Sequence, residues 1–225
     1  MPARYTLVVG TANWSSWSLR PYLALSQIGA DFKTVMVPLR QPESKKTILK
    51  HSPSGKIPLL KITERRKTLS VWDSLAICET LAERHPKAGL WPANAAVRAT
   101  ARAYAAEMHS GFPNVRDQLS MYFVNRLPLP ELRENTQMEI ARILDAWKIA
   151  LRTHKGPFLF GRFSVADAMY APVVSRFTTY GVKVPPPVSA YMARMMALPG
   201  MIAWRRMAQK EVDGGLPQQL PPHPK

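Results

Sequence analysis

Apolar positions along this chain keep two different rhythms, and the change from one to the other falls near residue 86. Up to His85, short apolar and β-branched runs alternate with stretches of helical spacing. Residues 5–9, 32–37, 59–62 and 69–72 read as strands, and residues 16–28, a short stretch near 45–51 and residues 74–84 read as helices. Strand, helix, strand, then hairpin and helix, predicts a small α/β domain over residues 1–85. From about Ala95 only the 3.6-residue period survives. Val97, Ala101, Tyr104, Ala105, Met108 and Phe112 form one stripe, and Ile140, Ile143, Leu144, Trp147 and Leu151 form another, with Glu139, Arg142, Asp145 and Lys148 opposite. An all-helical bundle over residues 95–213 is expected.

Punctuation residues mark the joints. His85-Pro86-Lys87-Ala88-Gly89-Leu90-Trp91-Pro92 predicts a linker over residues 86–94, and the proline-rich stretch after Gly214-Gly215 predicts a tail over residues 214–225. Ser164 followed by Asp167 has the spacing of a capping box, in which each residue satisfies the other's orphan amide. The helix it opens carries Met169, Tyr170, Val173, Val174, Phe177 and Tyr180 and leaves little polar face. That helix should run through the bundle centre, with a kink at Pro172.

Composition narrows the class. Of 225 residues, 46% are apolar and 20% charged, which with this periodicity excludes disordered, collagenous and coiled-coil chains. The net charge of +16 raises a nucleic-acid partner, but the excess divides as +7 (13 basic, 6 acidic) over residues 1–85 and +9 (18 and 9) over the remainder. Charge spread in this way makes nucleic acid the minor reading. The one dense cluster, Arg65-Arg66-Lys67, falls where a hairpin turn is expected. A single cysteine, Cys78, rules out an internal disulfide and a multi-cysteine metal site; beside Leu75, Leu81 and Ala82 it reads as a buried small hydrophobe. The apolar stretch behind Arg4 is too short for a signal-peptide core, and no run approaches a membrane span. A cytoplasmic protein with no membrane or metal partner is expected.

Candidate chemistry concentrates in three short stretches of the first domain. Ser15 and Ser16 lie between the first strand and first helix, where hydroxyls and free backbone N–H groups at the positive helix end stabilise an anion; helix capping would use the same serines. Ile57-Pro58 opens a strand, where the missing proline donor costs nothing at an edge. Asp73-Ser74 stands at a helix start, a place where both residue types cap.

These stretches sit within Ser15-Ser16-Trp17-Ser18-Leu19-Arg20-Pro21, Ser52-Pro53-Ser54-Gly55-Lys56-Ile57-Pro58-Leu59-Leu60 and Trp72-Asp73-Ser74-Leu75-Ala76-Ile77, followed by the Ser164 to Asp167 box. In this order the segments resemble the cytosolic glutathione transferases, and the Ser-Ser-x-Ser-x-Arg start is nearest to the zeta class and its bacterial relatives. Trp17 stands where the zeta motif has cysteine. The resemblance implies a thioredoxin-like first domain carrying a glutathione site, an all-helical second domain, an acceptor pocket between them and a homodimer.

It also implies roles. Ser15, with Ser16 second, would hold the thiolate of glutathione, the co-substrate, since Cys78 is expected in the core. A cis Ile57-Pro58 bond would present the Ile57 backbone to the cysteinyl part; Lys56 would pair with the glycyl carboxylate or stay solvated. Ser74 would take the γ-glutamyl carboxylate and Asp73 would lie near the ammonium. Trp14 and Trp17 would wall an apolar acceptor site or pack between domains; Met108, His109 and Phe112 come from the helix that faces the cleft. The activity implied is addition of the glutathione thiolate to a small electrophile, with a role in detoxification. A cis–trans isomerase of the maleylacetoacetate type is the alternative, although Thr179 stands where such enzymes carry an arginine and Arg176 lies one turn earlier. A non-catalytic, transferase-like scaffold is the third reading.

Overall fold

A computed structural model describes residues 3–65 and 67–217. The first half runs β1 (Arg4–Gly10), α1 (Ser16–Gln27), β2 (Phe32–Val37), α2 (Ser44–His51), β3 (Leu59–Glu64), β4 (Lys67–Val71) and α3 (Ser74–Arg84). Its four strands form one sheet in the order β2-β1-β3-β4, with β1 parallel to β2 and the other pairs antiparallel. Strand alternation sorts the apolar side chains between the two faces. Leu7, Val9, Leu60 and Ile62 join the main core, under α1 and α3, while Val8, Val37 and Leu59 pack with Ile48 of α2 in a smaller cluster.

The remainder is helical: α4 (Ala95–Ser110), α5 (Pro113–Gln118), α6 (Glu134–His154), α7 (Val165–Tyr180), α8 (Pro186–Met196) and α9 (Pro199–Asp213), preceded by a 3-10 turn at Pro86–Ala88. In α7 every residue but Thr178 is buried, and the helix packs against α1, α3, α4 and α8, so one apolar rod joins the two halves. Its start is the expected capping box: the Ser164 N–H and hydroxyl both donate to Asp167 Oδ2 (2.8 and 2.9 Å), and Leu159 N–H donates to Oδ1 (3.1 Å). Burial pushes the Asp167 carboxyl up to about 6, against these three hydrogen bonds and the nearby Tyr191 hydroxyl. Gly181, in the left-handed region at φ 61°, ends the helix.

One stripe does not run as the sequence pattern predicts. The period from Val97 to Phe112 reads as a single helix, yet α4 stops at Ser110 and Phe112 adopts φ 59°, ψ 48° as the residue before α5. Pro113 is the cause, since a residue before proline is pushed out of the right-handed helical region. Hairpin residues Glu64 and Lys67 pair across the β3–β4 turn with Arg65 at its tip, while Arg66 lies outside the described residues. The tail prediction likewise falls outside them beyond residue 217. Cys78 is buried, and its surroundings push the thiol up to about 12, chiefly by desolvation.

Candidate functional site

The loop between β1 and α1 is gripped from a distance. Glu211 of α9 accepts from the Ala12 and Asn13 N–H groups (2.8 and 3.0 Å), and Trp204 Nε1 donates to the Ala12 carbonyl (2.9 Å). Asn13 in turn holds the segment after α5: its carbonyl accepts from Phe123 N–H and its Oδ1 from Val124 N–H (3.0 and 3.1 Å). These bonds fix where α1 begins. Ser15 is its N-cap and Ser16 its first residue, so both hydroxyls stand among the unpaired N–H groups of the first turn. Ser15 Oγ donates to Ser18 Oγ (2.8 Å), which also accepts from Gly10 N–H (3.1 Å). Among the described residues the Ser16 hydroxyl has no protein partner.

Across from the serines, Ile57-Pro58 is a cis peptide, as the resemblance implies, and the Trp72-Asp73 peptide is also cis. Asp73 caps α3, accepting from Leu75 and Ala76 N–H on Oδ1 (3.1 and 3.3 Å). Its Oδ2 lies 2.9 Å from His109 Nε2 of α4. Burial, together with Arg20 and Arg116, outweighs Asp73 and lowers the His109 pKa. The His109 Nε2 faces the carboxylate, and its Nδ1 is buried without a hydrogen-bond partner. Trp17 lies at the centre of this junction, with the guanidinium groups of Arg20 and Arg116 at 4.3 and 5.0 Å from its ring and His109 edge-on at 5.2 Å.

One cavity of about 500 Å³ gathers these parts. Ser15, Ser16 and their flanking Trp14 and Trp17 form one wall; Lys56, Ile57 and Pro58 form the second; Asp73 and Ser74 form the third. Leu39, Ile48 and Trp72, which the sequence reading left out, complete the lining with apolar surface. Met108 and Phe112 are buried in the core and do not line it, and Phe112 sits in the turn before α5 rather than on α4. His109 reaches the site only through Asp73 and Trp17.

Arg116 and Arg176 spend their hydrogen bonds on helix ends rather than on the cavity. Arg116 donates to the carbonyls of Met108, His109 (3.2 Å) and Gly111 (3.0 Å), closing the end of α4. Arg176, buried, donates to the carbonyls of Arg116 (3.2 Å) and Leu119 and closes the end of α5; burial first, then Arg116, pushes its pKa down to about 10. The Thr179 hydroxyl donates to the Tyr122 carbonyl (2.9 Å). Neither Arg176 nor Thr179 touches the cavity.

Comparison with known proteins agrees with this geometry. Residues 14–84 match the family model described as glutathione S-transferase, N-terminal domain, and residues 130–206 match glutathione S-transferase, C-terminal domain. The chain is 27% identical over 172 residues to a Caenorhabditis elegans protein named "Probable maleylacetoacetate isomerase", covering 76% of this chain and 78% of that one. A maleylacetoacetate isomerase from Anaeromyxobacter dehalogenans, solved with glutathione in its active site, is 26% identical with a TM-score of 0.67, over 90% of this chain and 94% of that one. A glutathione transferase homolog from Burkholderia, also with bound glutathione, has the same fold at 24% identity and a TM-score of 0.69, over 92% and 98% of the two chains. With both halves of the family matched in order, and the three motif-bearing stretches meeting in one cavity, the chain belongs to the glutathione S-transferase family.

Proposed function

We propose that the cavity binds glutathione and that the protein adds its thiolate to a small electrophile of apolar character. The observation that carries this is the convergence of the serine helix start, Ile57-Pro58 and Asp73-Ser74 on one cavity of about 500 Å³. Ser15 is the thiolate partner. Ser18 already accepts from Gly10 N–H and keeps its own proton, so it can return a hydrogen bond to Ser15 Oγ while Ser15 turns its proton toward sulfur. Ser16 and the first-turn N–H groups add to the same positive end. The thiolate then attacks an electrophilic carbon, a C–S bond forms, and the displaced group leaves with the electron pair or, in an addition, the carbanion takes a proton from solvent. Ile57 supplies backbone contacts, Lys56 a cation for the glycyl carboxylate, and Asp73 and Ser74 the polar end for the γ-glutamyl group. Trp14, Trp17, Leu39 and Trp72 offer apolar surface to the second substrate.

The family habit and the exposed apolar Leu69 on edge strand β4 support a homodimer. We place the protein in the cytoplasm, in detoxification, with residues 1–85 as the thiol-binding domain and residues 95–213 as the helical one. The isomerase relatives support a second reading, in which the thiolate adds transiently to a cis olefin and leaves after bond rotation. Against it, the arginine of α7 is engaged on helix carbonyls and offers no cation to a dicarboxylate in the cavity. Calorimetric titration with glutathione, followed by conjugation of an activated aryl halide, tests the reading: saturable binding with turnover supports it, and no heat with no turnover refutes it.

A further inference from the structure

Arg20 is enclosed completely, at 0% exposure, and no carboxylate pairs with it among the described residues. Arginine is almost never buried unless paired, because the desolvation of its charge is returned only by good hydrogen bonds to a counter-ion. Here Nε and one terminal nitrogen make no hydrogen bond, and the guanidinium carbon lies 4.3 Å from the Trp17 ring centre. The other terminal nitrogen has a single contact, the Ser74 hydroxyl at 3.4 Å. Asp73 attracts the guanidinium at a distance, but its oxygens are committed to the α3 amides and to His109. Neighbouring Arg116 and Arg176 add repulsion, and burial first, then Arg116, pushes the Arg20 pKa down to about 9. The Trp17 ring offsets part of that desolvation but supplies neither an acceptor nor a counter-charge, so the burial of this cation stays uncompensated within the protein.

The position of the charge explains it. Ser74 lines the cavity at the positive start of α3, and Arg20 stands directly behind it. Beside this doubly positive spot lies the Asp73 carboxylate, on the same cavity wall. A positive and a negative pole side by side fit a zwitterionic amino-acid end, with its carboxylate against Ser74 and its ammonium toward Asp73.

We propose that Arg20 is a positioning residue that sets specificity for a free α-carboxylate, holding the Ser74 hydroxyl and supplying from behind it the charge that the ligand carboxylate neutralises. This rests on the glutathione reading of the cavity. Arg20 touches no substrate; it acts through Ser74, and the anion completes the pairing that the protein leaves open.

The test compares wild type with Arg20→Met, which keeps the length and removes the charge, and with Arg20→Lys, which keeps a charge. Each is titrated with glutathione and with glutathione whose γ-glutamyl α-carboxylate is converted to the amide. Wild type should prefer glutathione, Arg20→Met should lose about tenfold or more of that preference while binding the amide as wild type does, and Arg20→Lys should restore part of it. Unliganded Arg20→Met should melt no lower than wild type, since an unpaired buried charge has been removed. A variant that fails to fold, melts lower, or loses affinity for both ligands equally makes Arg20 a structural residue and overturns the proposal, as does an unchanged preference. If wild type binds neither ligand, the glutathione reading falls with it; if wild type binds and only the preference is insensitive to Arg20, the glutathione reading stands and the role of Arg20 falls alone.

Discussion

Exchanging Ser15 for alanine separates thiol activation from ligand binding, because the remaining walls of the cavity still hold the other parts of glutathione. Turnover of an activated aryl halide should drop about tenfold or more, the loss of one hydrogen bond to a charged group, while glutathione affinity changes little. Ser16→Ala should be milder. A large loss in Ser16→Ala with none in Ser15→Ala would move the thiolate to Ser16, whose hydroxyl is the one without a protein partner. The residues of this site that sequence reveals are those inside local motifs: a serine pair at a helix start, an Ile-Pro at a strand start, an acidic-Ser pair at a cap. Arg20 was present in the same motif, an arginine on the inward side of α1 next to Leu19 and Leu23, but only the missing counter-ion shows what its position means. Glu211 had no local signal, since its partners Ala12 and Asn13 lie some two hundred positions earlier.

Elements far apart in sequence control one another here, and two substitutions expose this. Glu211→Gln leaves one acceptor oxygen where two N–H groups now bond, so the loop before α1 should loosen. Amide exchange at Ala12 and Asn13 should accelerate and stability should fall by about 1.5–3 kcal/mol, while secondary structure stays intact; unchanged exchange would mean that Trp204 alone holds the loop. At the head of α7, Asp167 titrates near 6 when folded and near 3.9 when unfolded. The folded state therefore binds the proton more tightly, so the stability of wild type minus that of Asp167→Asn should rise as pH falls from about 7 to about 4 and then level off. Denaturant unfolding across that range reads it, and a flat or opposite trend would contradict the burial of this carboxyl. Most elements were legible from period and caps: β2 and α3 stand where the pattern puts them, and the Ser164 box opens α7. The stripe through Phe112 was not, because periodicity does not register the backbone constraint that Pro113 imposes. Helices α8 and α9, both opened by proline, show in the sequence only as part of a helical half, without separate boundaries.

At the scale of the whole molecule, the charge of +16 bears on which partners the protein meets. Part of it is interior: Arg20 and Arg176 are enclosed and Arg176 is spent on helix carbonyls, so these charges cannot reach a phosphate backbone. The field that remains should draw in anionic glutathione and be screened by salt over about 10 Å at 0.1 M, raising the apparent KM only modestly. A nucleic-acid protein contacting some six phosphates would instead lose about a thousandfold in affinity between about 50 and 200 mM salt. Binding of a labelled duplex and a labelled single strand at about 150 mM salt should be weak, and a submicromolar constant for either would make nucleic acid the main partner. The central claim is that this fold makes one site in which the start of α1 activates a bound thiol. Its most direct measurement is the pKa of glutathione in the complex, followed by the ultraviolet absorbance of the thiolate as pH is raised. A value at least about one unit below the ~8.5 of a free thiol, a stabilisation of about 1.4 kcal/mol, is the predicted result, and it should return toward the free value in Ser15→Ala. A bound thiol that titrates like the free one in wild type would contradict the account.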